Sequence, residues 1–137
     1  MSDAKQIQRV AAYGVVRQSN QILLSQLTRS RQWTLPGGGI DFGEHPKAAV
    51  KREVLEETGF HVEVDDLLFV HSYLKKSPDD QLQGIQIVYE AKLTGGELRN
   101  EIDGTTDLCQ WHDPSQIEQL DLVDMIKFEL MPKLNLR

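Results

Sequence analysis

The sequence predicts an α/β protein, one domain over residues 1–137, with a mixed sheet and helices packed on its faces. Three observations lead there. The length of 137 residues is a common size for one domain, and a composition 39% hydrophobic and 26% charged is too apolar for a disordered chain. Strand-like alternation recurs along the chain, while other segments carry helical spacing with start and stop signals. The strands begin at hairpin spacing and then alternate irregularly with helices, which favours a mixed sheet over a doubly wound parallel one. No repeat, low-complexity tract or linker divides the chain.

Taken in order, Gln8 to Gln18 is rich in Val and Ala and short of charge, and reads as a strand. Ile22 to Leu27 is the next, with Ser19-Asn20-Gln21 as the hairpin turn between them. In Trp33 to Gly39, a proline and three glycines argue for irregular backbone. Pro46 to Thr58 reads as a helix, since proline suits its first turn and Gly59 the residue beyond its end. Val62 to Leu74 reads as one or two strands with an acidic turn at Asp65-Asp66. Gln83 to Leu93 alternates as a strand closed by Thr94-Gly95-Gly96, and Asp107 to Trp111 is a short strand. Pro114 to Leu120 and Leu122 to Leu130 read as helices.

Composition narrows the function. A formal charge of −6 opposes binding to polymeric nucleic acid, which needs a basic face, yet a small nucleotide remains compatible if bound cations offset its phosphates. No apolar run approaches the roughly 20 residues of a membrane span, so no membrane partner is expected. The start lacks a secretory pattern, and the single cysteine, Cys109, forms no internal disulfide and builds no cysteine zinc site. These features lead to the expectation of a cytoplasmic protein.

Chemistry concentrates between Gly37 and Phe60. At about 100° per residue, Glu53, Glu56 and Glu57 fall within one arc of the helix, and Val50 and Val54 project about 90° away from its centre. The acids therefore sit at the margin of the core, where a cleft wall would be, although a solvated face is the bland alternative. Arg52 lies one turn from Glu56 and can brace it, and Glu44 stands where an acid favours a helix N-terminus. Gly37, Gly38 and Gly39 allow close backbone approach to another group. Hard oxygen donors without cysteine and with few histidines nearby suit Mg²⁺, with Mn²⁺ as a substitute, rather than zinc. The chemistry implied is attack of metal-activated water on phosphorus.

Gly38, five residues, Glu44, seven residues, Arg52-Glu53-Val54, Leu55, Glu56-Glu57, Thr58, Gly59 and Phe60 resemble the Nudix box at every defined position. The Trp33-Thr34-Leu35-Pro36-Gly37-Gly38 approach and the Asp107-to-Pro114 segment are similar to that family too. The resemblance implies a Nudix-type α/β/α sandwich. The implied enzyme is a metal-dependent pyrophosphohydrolase cleaving a nucleoside diphosphate linked to another moiety. It implies metal binding by Glu53, Glu56 and Glu57, with Glu53 or a neighbour positioning or deprotonating water. Arg52 would orient the glutamates, Glu44 would support that network or bind metal, and Gly38 with its neighbours would shape the loop beside the phosphates. An acid outside the box completes the site in many members. Glu97, Glu101, Asp103 and Asp107 are the candidates, with Asp107 first.

The substrate class expected is a nucleoside triphosphate or related nucleotide, damaged ones included. The alternative is a nucleotide-sensing module that does not cleave, although such modules usually lose box glutamates and this chain keeps all of them. Trp33 and Trp111 could stack on a base, against core packing as the plainer reading for each. Tyr13 and Phe69 read as core, Cys109 as a small apolar strand residue, and no histidine has ligand spacing; His45 is the one to watch beside the helix. Leu122, Ile126 and Leu130 form a stripe, with Met125 and Leu134 near it, that either caps the sheet or packs against a second copy as a homodimer.

Overall fold

The computed structural model describes residues 4–100 and 106–134. Among these, β1 (Lys5–Gln18) is the spine of one sheet. It pairs antiparallel with β2 (Gln21–Leu27) through Arg17–Ile22 and Gln18–Gln21, closing the hairpin expected at Ser19-Asn20. Its other edge runs parallel to β6 (Asp80–Gly96) from Lys5–Asp80 to Arg17–Lys92. Outside β6 lies β5 (Phe60–Lys76), antiparallel to it. Beyond β2 lie β3 (Trp33–Thr34) and β7 (Thr106–His112), both antiparallel to it. The sheet is mixed, as the irregular alternation required.

Three sequence expectations are corrected here. Trp33 to Gly39 is not irregular throughout: β3 precedes Pro36, and the glycines form β4 (Gly37–Gly39) against Ala11–Tyr13 of β1. Pairing supplies the backbone with partners that local propensity did not announce. Asp65-Asp66 is no turn; β5 runs through it with register shifts between Val64 and Leu67, a bulge that leaves the strand continuous. The helix expected over 114–120 is α2 (Pro114–Ile117), followed by tight turns in which Gln119 and Leu120 donate to Gln116 and Ile117.

The helix expected from Leu122 starts later. Trp33 takes Asp121 O for its N–H at 2.8 Å and offers its carbonyl to Val123 N–H at 3.0 Å, so Leu122 is held as a strand-like bridge. Met125–Leu130 then forms a π-helical stretch, its end marked by Met131 N–H donating to Ile126 O, and continues as α3 (Met131–Leu134).

Two apolar layers flank the sheet. α1 (Pro46–Thr58) has the bounds expected, and Gly59 ends it at φ 81° with its N–H on Leu55 O. Its Ala49, Val50 and Val54 pack with Ala12, Val16, Leu23 and Ala91. Burying a valine of this kind is worth about 1.5–3 kcal/mol. The other face of β1 and β6 carries Val15 and Val88, covered by Ile126, Leu130 and Leu134. Leu122, Ile126 and Leu130 are thus core, so that stripe caps the sheet and is not offered to a second copy. No helix of the described residues is long and apolar enough to cross a membrane.

Candidate active site

α1 and β4 set the site between them. Gly37 has φ 152° and its buried N–H donates to Glu57 Oε2 at 2.8 Å, which ties the end of the helix to the strand. Glu57 is only 4% exposed. A buried carboxylate needs hydrogen-bond donors, and this backbone amide is one. Gly38 faces the next acid: a Cβ there would lie 2.9 Å from the Glu53 carboxyl carbon and oxygen. Only glycine leaves that carboxylate its place against the backbone. Gly39 has open space around it and no such requirement.

Arg52 organises the remaining acids. Its Nε and Nη2 donate to both oxygens of Glu44, at 3.0 and 2.9 Å, a bidentate grip that a lysine cannot reproduce. Nη1 donates to Glu53 Oε1 at 2.8 Å, and Nη2 also reaches Gly39 O at 3.0 Å. The contact expected with Glu56 is present but long, 3.6 Å, and Asp41 stands at 3.5 Å. The hydrogen bond from Arg52, reinforced by Asp41 N–H, holds the Glu44 carboxyl down at about 2. Reciprocally, Glu44 foremost and then Glu53 hold the guanidinium above its ordinary value.

Exposure grades across the acids as the helical spacing requires: Glu57 buried, Glu53 18% and Glu56 52% exposed at the side chain. Glu44 does not cap the helix, however. That role belongs to His45, whose Nδ1 accepts Lys47 N–H at 3.0 Å. Histidine is an uncommon cap, and the missed signal was its place immediately before a proline at the helix start.

The structure brings Gly37, Gly38, Arg52, Glu44, Glu53 and Glu57 together and leaves Trp33 out. Trp33 is packed in the core layer under the C-terminal helix, its ring edge-on to His112 with centroids 4.8 Å apart, so the packing reading describes it. Burial pushes the His112 imidazole below its ordinary value. Trp111 tilts against Phe60 at 5.7 Å. Cys109 is buried, its thiol donating to Glu57 O at 3.3 Å. Glu97 is exposed near the C-terminus of α1, where Arg99 N–H donates to Thr58 O. Glu101, Asp103 and the side chain of Asp107 lie outside the described residues.

Among the described residues no group of three His, Cys, Asp or Glu side chains forms a ready metal cage. Magnesium does not ask for one: it keeps several waters and takes one or two carboxylates plus substrate phosphates. An all-oxygen donor set, with Glu53 seated in a space that any Cβ at position 38 would fill, fits such a partial shell.

The family model described as NUDIX domain matches residues 7–134. The chain belongs to the Nudix family. An ADP-ribose pyrophosphatase of Methanocaldococcus jannaschii is 39% identical over 95 residues, 66% of this chain and 54% of that one. A MutT-like protein of Streptomyces ambofaciens is 31% identical over 105 residues, 77% of this chain and 63% of that one. The chain thus spans between half and two thirds of the length of these curated relatives. The crystal structure of a MutT NUDIX hydrolase from Burkholderia pseudomallei superposes with a TM-score of 0.75 at 26% identity, covering 90% of this chain and 95% of that one. The mixed sheet between helical layers is therefore the Nudix α/β/α arrangement.

Proposed function

We propose that this Nudix domain is a pyrophosphohydrolase that cleaves a phosphoanhydride bond in a nucleoside diphosphate linked to a further group, using a divalent cation, Mg²⁺ first and Mn²⁺ as substitute. The observation that carries the reading is the braced carboxylate set: Glu57 buried on Gly37 N–H, and Glu44 and Glu53 on one arginine. A solvated acidic face would have no need of such bracing. In this reading Glu53, Glu56 and Glu57 hold the cation, with Glu44 keeping Arg52 in place or adding an oxygen. When bound, the cation lowers the pKa of its water and offsets diphosphate charge.

Glu53 accepts or orients the proton of the attacking water, whose oxygen bonds to phosphorus as the bridging P–O bond breaks. In this reading Gly37, Gly38 and Gly39, the β4 strand, lie beside the phosphates and lead into the turn before α1. The substrate is a small nucleotide. Triphosphates, damaged ones included, come first. ADP-ribose joins them because one relative is an ADP-ribose pyrophosphatase.

The test is a product screen with Mg²⁺ over nucleoside triphosphates, nucleotide sugars, ADP-ribose and dinucleoside polyphosphates, run on the wild type, Glu53→Gln and Arg52→Lys. Hydrolysis of at least one class is expected, with Glu53→Gln lowering kcat far more than it weakens nucleotide binding. Arg52→Lys should cost less, because it keeps the charge while losing the planar fork. Tight nucleotide binding without turnover in any class would leave a sensing module instead.

A further inference from the structure

Glu57 is the buried end of the acidic set, and the strand that governs its donor carries no acid at all. In the antiparallel ladder of β1 and β4, Tyr13 stands directly across from Gly37. A Cβ on Gly37 would lie 2.6 Å from Tyr13 Cδ2, 2.5 Å from Tyr13 Cα and 2.3 Å from Ala12 O. The edge of the phenol ring therefore rests against Gly37, in the place a side chain would take. The N–H of that same glycine is the donor that Glu57 Oε2 receives at 2.8 Å. Ring, glycine and carboxylate form one contiguous line. Next to it, Gly14 N–H donates to Pro36 O at 2.9 Å and clamps the two strands together.

Tyr13 is more than the core residue its strand suggests. It is half-buried and packs against the margin of the apolar layer under the C-terminal helix, across from Val88 of β6. Its hydroxyl has polar company. Burial foremost pushes the phenol above its ordinary value, a hydrogen bond with Gln86 draws it back, and the charge of Glu57 adds to the rise. The phenol thus stays neutral, and it lies near enough to Glu57 to feel its charge. A leucine would serve the apolar layer equally well. The contact of a flat ring with Gly37 is what layer packing leaves unexplained.

We propose that Tyr13 is a positioning residue for the cation site: its ring fixes Gly37 and keeps water from the Gly37–Glu57 hydrogen bond, holding Glu57 in one orientation toward the cation. This rests on the proposed function, in which Glu57 is one of the ligands. An amide-to-carboxylate hydrogen bond is strongest where water is excluded. A neutral donor also leaves the carboxylate charge intact for a cation. Loosening Gly37 forfeits both effects without touching a ligand. Partners that orient ligands in this way are worth about 10- to 100-fold in metal affinity.

Three variants test this. Tyr13→Leu keeps apolar bulk without the flat ring, and Tyr13→Phe keeps the ring. Leu130→Ala opens the same apolar layer and controls for lost packing alone. The first readout needs no cation. The Gly37 amide proton of the wild type should resonate downfield and exchange slowly, as a buried bond to a carboxylate requires. Tyr13→Leu should move it upfield and speed its exchange relative to the other β1 and β4 amides, while Tyr13→Phe and Leu130→Ala leave it in place. The second readout is Mn²⁺ bound alongside a non-hydrolysable nucleoside diphosphate analogue, followed by electron paramagnetic resonance. Tyr13→Leu should weaken it about 10-fold or more, with Tyr13→Phe matching the wild type. In turnover the loss should fall on the Mg²⁺ concentration giving half-maximal rate, not on the rate at saturating Mg²⁺. An undisturbed Gly37 amide in Tyr13→Leu overturns the proposal, and so does a disturbed one with Mn²⁺ affinity unchanged. Tyr13→Phe or Leu130→Ala behaving like Tyr13→Leu overturns it too, since the hydroxyl or general packing would then be responsible. A wild type that takes up no Mn²⁺ with nucleotide present removes the proposed function, and the role of Tyr13 with it. Failure of this proposal alone shows as wild-type Mn²⁺ binding preserved in Tyr13→Leu.

Discussion

Glu57 and Glu44 carry opposite burdens at the two ends of the acidic cluster. Glu57 is buried on the amide of Gly37, so Glu57→Gln keeps an oxygen for that donor and preserves the link between α1 and β4. The variant is expected to fold normally, to melt no lower than wild type without metal, and to lose more than about 100-fold in turnover at limiting Mg²⁺. That exceeds the 10- to 100-fold typical of residues that only orient a ligand. Turnover at limiting Mg²⁺ within a few fold of wild type would remove Glu57 from the metal shell. Glu44 gives a pH signature. Its folded pKa of about 2 lies below the ordinary 4.5 because Arg52 favours the carboxylate. A depressed folded value contributes stability fully present above the unfolded pKa and lost as pH falls through the folded one. Melting temperature should therefore decline between pH 4.5 and 2, and Glu44→Gln should flatten that part of the curve. An identical pH profile for the variant would show that the pair contributes nothing to stability.

Helix α1 was legible to the residue because its signals are local: Pro46 at the first turn, Gly59 past the end, Val50 and Val54 on one face. Its cap was not, since the choice of His45 over Glu44 depends on Arg52 drawing Glu44 away. His45→Ala removes an acceptor for Lys47 N–H and should cost about 1 kcal/mol, as losing a side-chain cap does, with His45→Asn restoring most of it in thermal denaturation. No loss in the alanine variant would mean that water serves the amide equally well. Elements whose definition is non-local were harder to read. β4 exists because Ala11–Tyr13 offers it a ladder, and the helix after Asp121 is delayed because Trp33 claims the backbone around Leu122. Neither partner lies near in sequence. The continuous β5 is of the same kind: Asp65-Asp66 carries the local signature of a turn, and only pairing with β6 across the bulge keeps it a strand.

Across the whole molecule, the grouping of Glu44, Glu53, Glu57 and Arg52 against Gly37 and Gly38 was legible because spacing along β4, the turn after it and α1 fixes their neighbours. The fate of Trp33 was not, because whether an aromatic lines a cleft or a core depends on the packing of the C-terminal segment over the sheet. The same separation of scales bears on binding. At −6, the chain repels nucleotide phosphates, and its carboxylates are already engaged by Arg52 and Gly37 N–H. The described residues carry no preformed three-ligand cage. Under the proposed function, with Glu53, Glu56 and Glu57 drawn to a cation, the cation would also take oxygens of the substrate and the substrate would need the cation. Binding should therefore be mutually dependent. At a concentration 100 times its dissociation constant a ligand adds about 2.7 kcal/mol of stability, roughly 5–10 °C in melting temperature for a domain of this size. Mg²⁺ with a non-hydrolysable nucleoside diphosphate analogue should produce a shift of that order. Mg²⁺ alone should give a small fraction of it, and the nucleotide with a chelator almost none. A full shift from Mg²⁺ alone would mean the carboxylates rearrange into a complete site without substrate. A full shift from chelated nucleotide would mean that the cation belongs to catalysis and not to binding.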